Sequence, residues 1–347
     1  MLLAMILRPK SAQRHQGPML AASAVAPVVA LPGWLRRAVP DARSLAAEGF
    51  GPNPLEDIAI AAGAAIGALD TVVRRHERWT GAWRQRLALA AAAVTARQAG
   101  RVEDEAALRD AVLLPRPGED VGPAGRMQLA WRRLAAKPVE ELLTEASIAG
   151  VLDALGLARN DETAADLADE IRQLAATEGA VGVLIGAFAA VERRGLPRTL
   201  GCWIADAMLA QRLGWAHAVP LLGGEAAGAN SSGRPRRPTG VVATSIEAVP
   251  ERAKTLLAAQ ARAALRAVDL SADIERRADR LIAVAPSLRA RGAAVVVDRL
   301  LTDDAIVASE KIGGMSDRSL RRLFERLVDL GAVRELSGRA AFRIYGI

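Results

Sequence analysis

Cysteine is almost absent: Cys202 stands alone among 347 residues, so no internal disulfide can form and a reducing compartment is expected. Histidine is scarce too. His15, His76 and His217 lie far apart at no ligand spacing, which excludes the usual structural zinc motifs. Aromatics are 3% of the chain against 51% hydrophobic residues, so the core must be built from Ala, Leu, Val and Ile, small side chains that favour closely packed helices over sheet. No uninterrupted apolar run reaches the ~18 residues of a membrane-spanning helix. The two best stretches, 58–69 and 179–191, are fenced by Asp57 and Asp70 and by Glu178 and Glu192, and read as buried core helices. The expectation is a cytoplasmic chain without a membrane partner.

Catalytic patterns are missing as well. Gly118, Gly122 and Gly125 mimic the spacing of a phosphate loop, but they follow a helix ended by prolines and lack a following Lys-Ser or Lys-Thr, so a plain turn is expected. The densest acid cluster is Glu103, Asp104, Glu105 and Asp110, beside Arg101 and Arg109. Neighbouring carboxylates there point to different sides of a helix, and Glu105 with Arg109 makes a natural surface pair. An enzyme working through these acids, Asp120 and the 116–126 loop is the third-ranked reading, and no catalytic residue, cofactor or metal ligand is assigned. Trp79, Trp83 and Arg84 are expected to anchor a helix.

What is present is a long, arginine-rich, basic chain: net charge +7, with a length that allows two or three units at about 100–200 residues each. Residues 1–50 are rich in Pro, Gly and Ala without sustained period. Arg8, Lys10 and Arg14 precede the apolar stretch 19–31 in the manner of a signal peptide, but Pro27 interrupts it, and an unstructured arm is expected. Residues 51–222 read as a helical domain. Its first helix is capped by Asn53, carries Pro54 in its first turn and runs to Arg78; the next spans 80–98 with Gly100 as its stop. Further helices are expected over 103–114, ended by Pro115, and over 124–136, 139–155, 163–176 and 180–194. Gly63 and Gly67 in the first, with Gly182 and Gly186 in the last, suggest two helices facing each other closely. Residues 223–249, with Gly-Gly, Asn-Ser-Ser-Gly and the basic run 234–238, read as a flexible linker, and 250–290 as a connecting helix closed by Pro286.

Residues 291–347 carry the most specific pattern. An apolar helix to Leu301 is followed by a turn at Asp303 and Asp304, a short helix over 306–312 and a Gly313-Gly314 turn. Then comes a strongly amphipathic helix: Ser316 at its cap, Leu320, Leu323, Phe324, Leu327 and Leu330 on one stripe, Gly331 as the stop, and Arg318, Arg322 and Arg326 stacked on the opposite face. After Gly331 the period becomes alternating, with Val333 and Leu336, a Ser337-Gly338 turn, and Phe342 and Ile344 on the return strand. This order is that of a winged helix-turn-helix. The fold class is therefore mainly α: a multi-helix, bundle-like body followed by a C-terminal winged helix-turn-helix with a small β-hairpin.

From Lys311 onward eight basic residues face four acidic ones, Asp317, Glu325, Asp329 and Glu335. The leading functional reading is double-stranded DNA binding, with Arg318, Arg321, Arg322 and Arg326 on the helix and Arg339 and Arg343 on the wing. The alternative is a helical interaction or homo-oligomerisation module, in which the helix arginines pair with Glu325 and Asp329 on a solvated face.

Several short runs also match one family: Gly67-Ala-Leu-Asp70, Trp83-Arg-Gln-Arg-Leu87, Ala99-Gly-Arg101, the acids 103–110, Arg116-Pro-Gly-Glu-Asp120 and Gly122-Pro-Ala-Gly-Arg126. The match continues through Leu213-Gly-Trp215, Val219-Pro-Leu-Leu222, Ser316-Asp-Arg318, Leu330-Gly-Ala-Val-Arg-Glu-Leu336 and Tyr345-Gly346. On these residues, over most of 53–347 except the linker, the chain resembles the bacterial family known as domain of unknown function 1403. The resemblance carries over no activity, cofactor or catalytic residue.

Overall fold

The computed structural model describes residues 31–41, 54–116, 118–157, 161–225, 248–337 and 342–347. The Asn53 cap, residues 226–247 of the expected linker and Arg339 lie outside them. Within the arm expected to lack structure, α1 (Gly33–Ala38) is helical: Leu35 is buried, and Arg36 Nη1 donates to Asp269 at 2.9 Å.

The body follows with α2 (Leu55–Arg74), α3 (Thr80–Gln98), α4 (Glu105–Leu113), α5 (Gly122–Ala136), α6 (Val139–Leu142), α7 (Glu145–Ala154), α8 (Asp161–Thr177), α9 (Ala180–Arg193), α10 (Arg198–Leu213) and the long α11 (Ala248–Val284). Helix α3 is the hub. Ala88, Leu89, Ala91, Ala92, Ala93 and Ala96 are buried around most of its circumference, because alanine lets α5, α11 and the short turn at 222–224 approach from several sides. Indole N–H groups tie the layers together. Trp83 donates to the Ala267 carbonyl of α11 at 2.9 Å, Trp131 to Thr95 Oγ1 at 2.9 Å, Trp203 to the Ala130 carbonyl at 3.1 Å and Trp215 to Asp70 Oδ1 at 2.8 Å. Trp79 meets Trp83 edge-on, as an anchor should.

Four expectations for the body change. The first helix, expected to run to Arg78, ends at Arg74, just before His76 at φ +49°. The helix expected over 139–155 breaks at Leu143, because Thr144 caps a new one through Oγ1. Gly63 and Gly67 face open space, and α2 packs through Ile58, Ala61, Ala65 and Leu69 onto α11, while α9 packs on α8 and α10; the two glycine pairs therefore do not form a facing seam. Helix α10 occupies the stretch 198–213, for which no element is expected from the sequence.

One buried acid in α10 organises the end of the body. Asp206 accepts from Leu221 N at 2.8 Å and Leu222 N at 3.1 Å, pinning the turn at 222–224 under Trp131, where even a methyl group on Gly223 would collide with the indole. Burial pushes the Asp206 carboxyl up to about 8, against the pull of these N–H donors. A folded-state value above the unfolded one of about 3.9 means a contribution to stability fully present below pH ~4 and lost as pH rises through ~8. The melting temperature is expected to fall between pH 6 and pH 9 in the parent and to stay flat over that range in Asp206→Asn; equal slopes in a calorimetric series would exclude Asp206 as the titrating group.

The C-terminal unit comprises α12 (Ala293–Thr302), β1 (Ile306–Val307), α13 (Asp317–Asp329), β2 (Arg334–Glu335) and β3 (Ile344–Gly346). Its three strands form an antiparallel sheet in the order β1-β3-β2, with Ile306 opposite Tyr345 and Arg334 opposite Gly346. The short helix expected over 306–312 is absent. Ile306 and Val307 are instead a strand, since both side chains are buried and their backbone pairs with β3, and 308–316 is a series of turns.

This unit is docked on the body. Gly81 of α3 lies so close to Thr302 that a Cβ would sit 2.7 Å from its backbone. Asp304, 2% exposed, accepts from both Arg86 of α3 and Arg109 of α4, and Arg86 Nη2 also donates to the Ile347 main-chain oxygen at 3.2 Å. Arg132 meets Asp303 at 3.3 Å and Arg78 meets Asp298 at 2.6 Å.

Candidate nucleic-acid interface

Helix α13 exists because its cap and its stripe agree. Ser316 Oγ accepts from Ser319 N at 3.3 Å, and Leu320, Leu323, Phe324 and Leu327 are buried against the sheet, where the Phe324 ring stacks on Tyr345 at 4.3 Å and 6°. Burying that stripe forces the opposite face outward. Arg318, Arg321, Arg322 and Arg326 are all exposed, together with Glu325 and Asp329. Among the described residues, none of the four guanidiniums lies within 4.0 Å of a carboxylate, so the intrahelical pairs with Glu325 and Asp329 do not form. Arg343 sits beside them on the hairpin, 3.7 Å from Glu335.

Arg321, Glu325, Arg343, Ser309, Phe342 and Tyr345 line a cleft of about 440 Å³ between α13 and the sheet. Phe342, expected on the return strand, precedes β3, which begins at Ile344. It is 62% exposed and held at φ +57°, a left-handed conformation that strains any side chain with a Cβ. A bulky apolar ring held out in solvent contributes little packing. Phe342→Gly, which relieves the strain, is expected to leave the unfolding free energy within about 1 kcal/mol of the parent. A loss of roughly 3 kcal/mol or more in chemical denaturation would make the ring a core element instead.

The other sequence candidates are spent on local structure. Asp104 caps α4 by accepting from Ala107 N at 2.8 Å, Glu103 pairs with Arg101 at 2.5 Å, Glu105 lies 4.0 Å from Arg109, and Asp120 accepts from Gly122 N at 3.0 Å. Arg109 itself turns inward to Asp304, so these acids do not converge on one point. Among the described residues no three of His, Cys, Asp or Glu are grouped to hold a metal ion, and no helix is long and apolar enough to cross a membrane. Gly118 and Gly122 are both at positive φ, and Glu119 N donates to the Arg116 carbonyl at 3.0 Å. His217 is half-buried beside Pro138, its pKa lowered by burial and by Arg84.

Residues 20–347 match the model of a family described as Protein of unknown function (DUF1403). No curated protein matches the chain, and no solved structure does.

Proposed function

We propose that this chain, which belongs to the family of unknown function DUF1403, binds double-stranded DNA through its C-terminal unit. The observation that carries the reading is the exposed face of α13, on which four arginines stand without carboxylate partners among the described residues and so free to contact phosphate. The order helix, strand, turns, helix, hairpin and the strand arrangement β1-β3-β2 are compatible with a winged helix in which the turns of 308–316 replace the second helix. On this reading α13 enters the major groove with Arg318, Arg321, Arg322 and Arg326, and Arg343 with Arg339 contacts the backbone from the wing. Docking on the body leaves the arginine face of α13 exposed.

Fluorescence anisotropy of the full chain on a labelled random duplex tests it. Submicromolar binding at ~50 mM salt that the Arg318→Ala, Arg322→Ala, Arg326→Ala triple variant loses supports the reading. Equal binding by the variant, or none by the parent, overturns it. A second reading, that this unit pairs two copies of the chain, is favoured by Val328 and Leu330, exposed at the end of α13. Concentration-dependent dimerisation in sedimentation, indifferent to duplex and lost on Val328→Glu, would select it.

A further inference from the structure

A second concentration of arginine lies away from the α13 face, where the long helix meets the base of the sheet. Arg276, Arg277 and Arg280 of α11 and Arg334 of β2 line one cleft of about 360 Å³, floored by the turn at Gly331. Among the described residues of its lining Asp273 is the one with an acidic side chain. It is shared, meeting Arg276 at 3.1 Å and Arg277 at 2.5 Å. Among the described residues Arg280 and Arg334 have no carboxylate within 4.0 Å. Four guanidiniums outnumber the one side-chain carboxylate, with Ile347 also in the lining, so positive charge is in excess in a concave space, an arrangement that like-charge repulsion disfavours until an anion enters.

We infer that this cleft binds a small phosphorylated anion carrying two or more phosphate groups. The chemistry follows from the donor set. Each guanidinium offers a planar fork that matches two oxygens of a phosphate, and four of them from two elements surround an anion rather than touch it from one side. A single phosphate would engage two forks. A diphosphate engages Arg280 and Arg334, which lack a carboxylate, and shares Arg276 and Arg277 with Asp273. The volume is that of a small-ligand pocket, far below what a duplex requires. Because Arg276, Arg277 and Arg280 belong to the body and Arg334 to the C-terminal unit, the anion bridges the two, which makes the cleft a place where a ligand adjusts how firmly the unit is seated. This inference stands independently of DNA binding, since none of the four lies on α13.

Isothermal titration of the full chain with sodium pyrophosphate, at ionic strength held constant with sodium chloride, tests it. Expected are one binding event per chain, a loss of affinity of at least about tenfold in Arg280→Ala, Arg334→Ala, a gain in Asp273→Asn, and no change in Arg318→Ala, Arg322→Ala. All the replaced side chains are at least partly exposed, so these variants retain the fold, which far-ultraviolet circular dichroism verifies. No heat at millimolar pyrophosphate overturns the inference. So does equal affinity of the Arg280, Arg334 variant, or a loss confined to the Arg318, Arg322 variant, which moves the anion to α13. Displacement of pyrophosphate by duplex DNA, together with loss of duplex binding in the Arg280, Arg334 variant, also overturns it and reassigns the cleft to the DNA backbone.

Discussion

Asp304→Ala is expected to destabilise the chain by roughly 3–5 kcal/mol, the cost of removing one partner from a buried ion pair, measured by chemical denaturation. Asp304 sits at the seam of body and C-terminal unit, and its two guanidinium partners come from α3 and α4. Alanine there leaves Arg86 and Arg109 charged, largely buried and without this shared carboxylate. A charged group left in that state costs more than the pair contributed when complete. Pairing Asp304→Ala with Arg109→Met should therefore cost less than the sum of the single changes, and strict additivity would mean that the two side chains do not interact. The acid limb gives an independent reading. Burial raises the Asp304 carboxyl, but Arg86 and Arg109 together more than offset it and hold its pKa below the usual carboxylate range. A lowered folded-state value means stability present above pH ~4 and lost as pH falls through the folded pKa, so the parent should unfold in acid more steeply than the alanine variant.

That clamp was not legible in the sequence, and the reason is physical. Asp304 reads as a turn residue, and its partners lie 218 and 195 positions away, beyond any local period. What could be read were elements whose local signals agreed: α3 ends at Gln98 just before Gly100 at φ +75°, and α13 begins after the Ser316 cap with its leucine stripe inward. Helix α10 escaped because Leu200–Met208 is buried without interruption, leaving no polar face to set a 3.6-residue rhythm; Pro197 before it and the left-handed Gly214 after it were its available marks. A two-residue strand such as β1 is too short for alternation to show, so Ile306 and Val307 passed for the start of a helix. The arginines of the second cleft were hidden differently. On α11 they look like an ordinary solvated face, and only the fold brings Arg334 against them.

The triple replacement on α13 carries the other large effect, and its size can be argued from counting. If Arg318, Arg322 and Arg326 each neutralise one phosphate, removing them should flatten the plot of log affinity against log salt by about 2.7, at ~0.9 per contact. At the low-salt end the affinity should drop roughly a hundredfold, about 1 kcal/mol for each arginine. Glu325 and Asp329 share that face and oppose phosphate, so Glu325→Ala, Asp329→Ala should bind more tightly, the opposite sign to a face held together by internal pairs. Lysine distinguishes the two kinds of contact. A triple Arg→Lys variant keeps every charge and should keep the salt slope, but it loses the planar fork that reads guanine. If it retains full affinity for every duplex, α13 lies along the backbone; if it loses only its preference among sequences, the helix is seated in the major groove and base edges are being read.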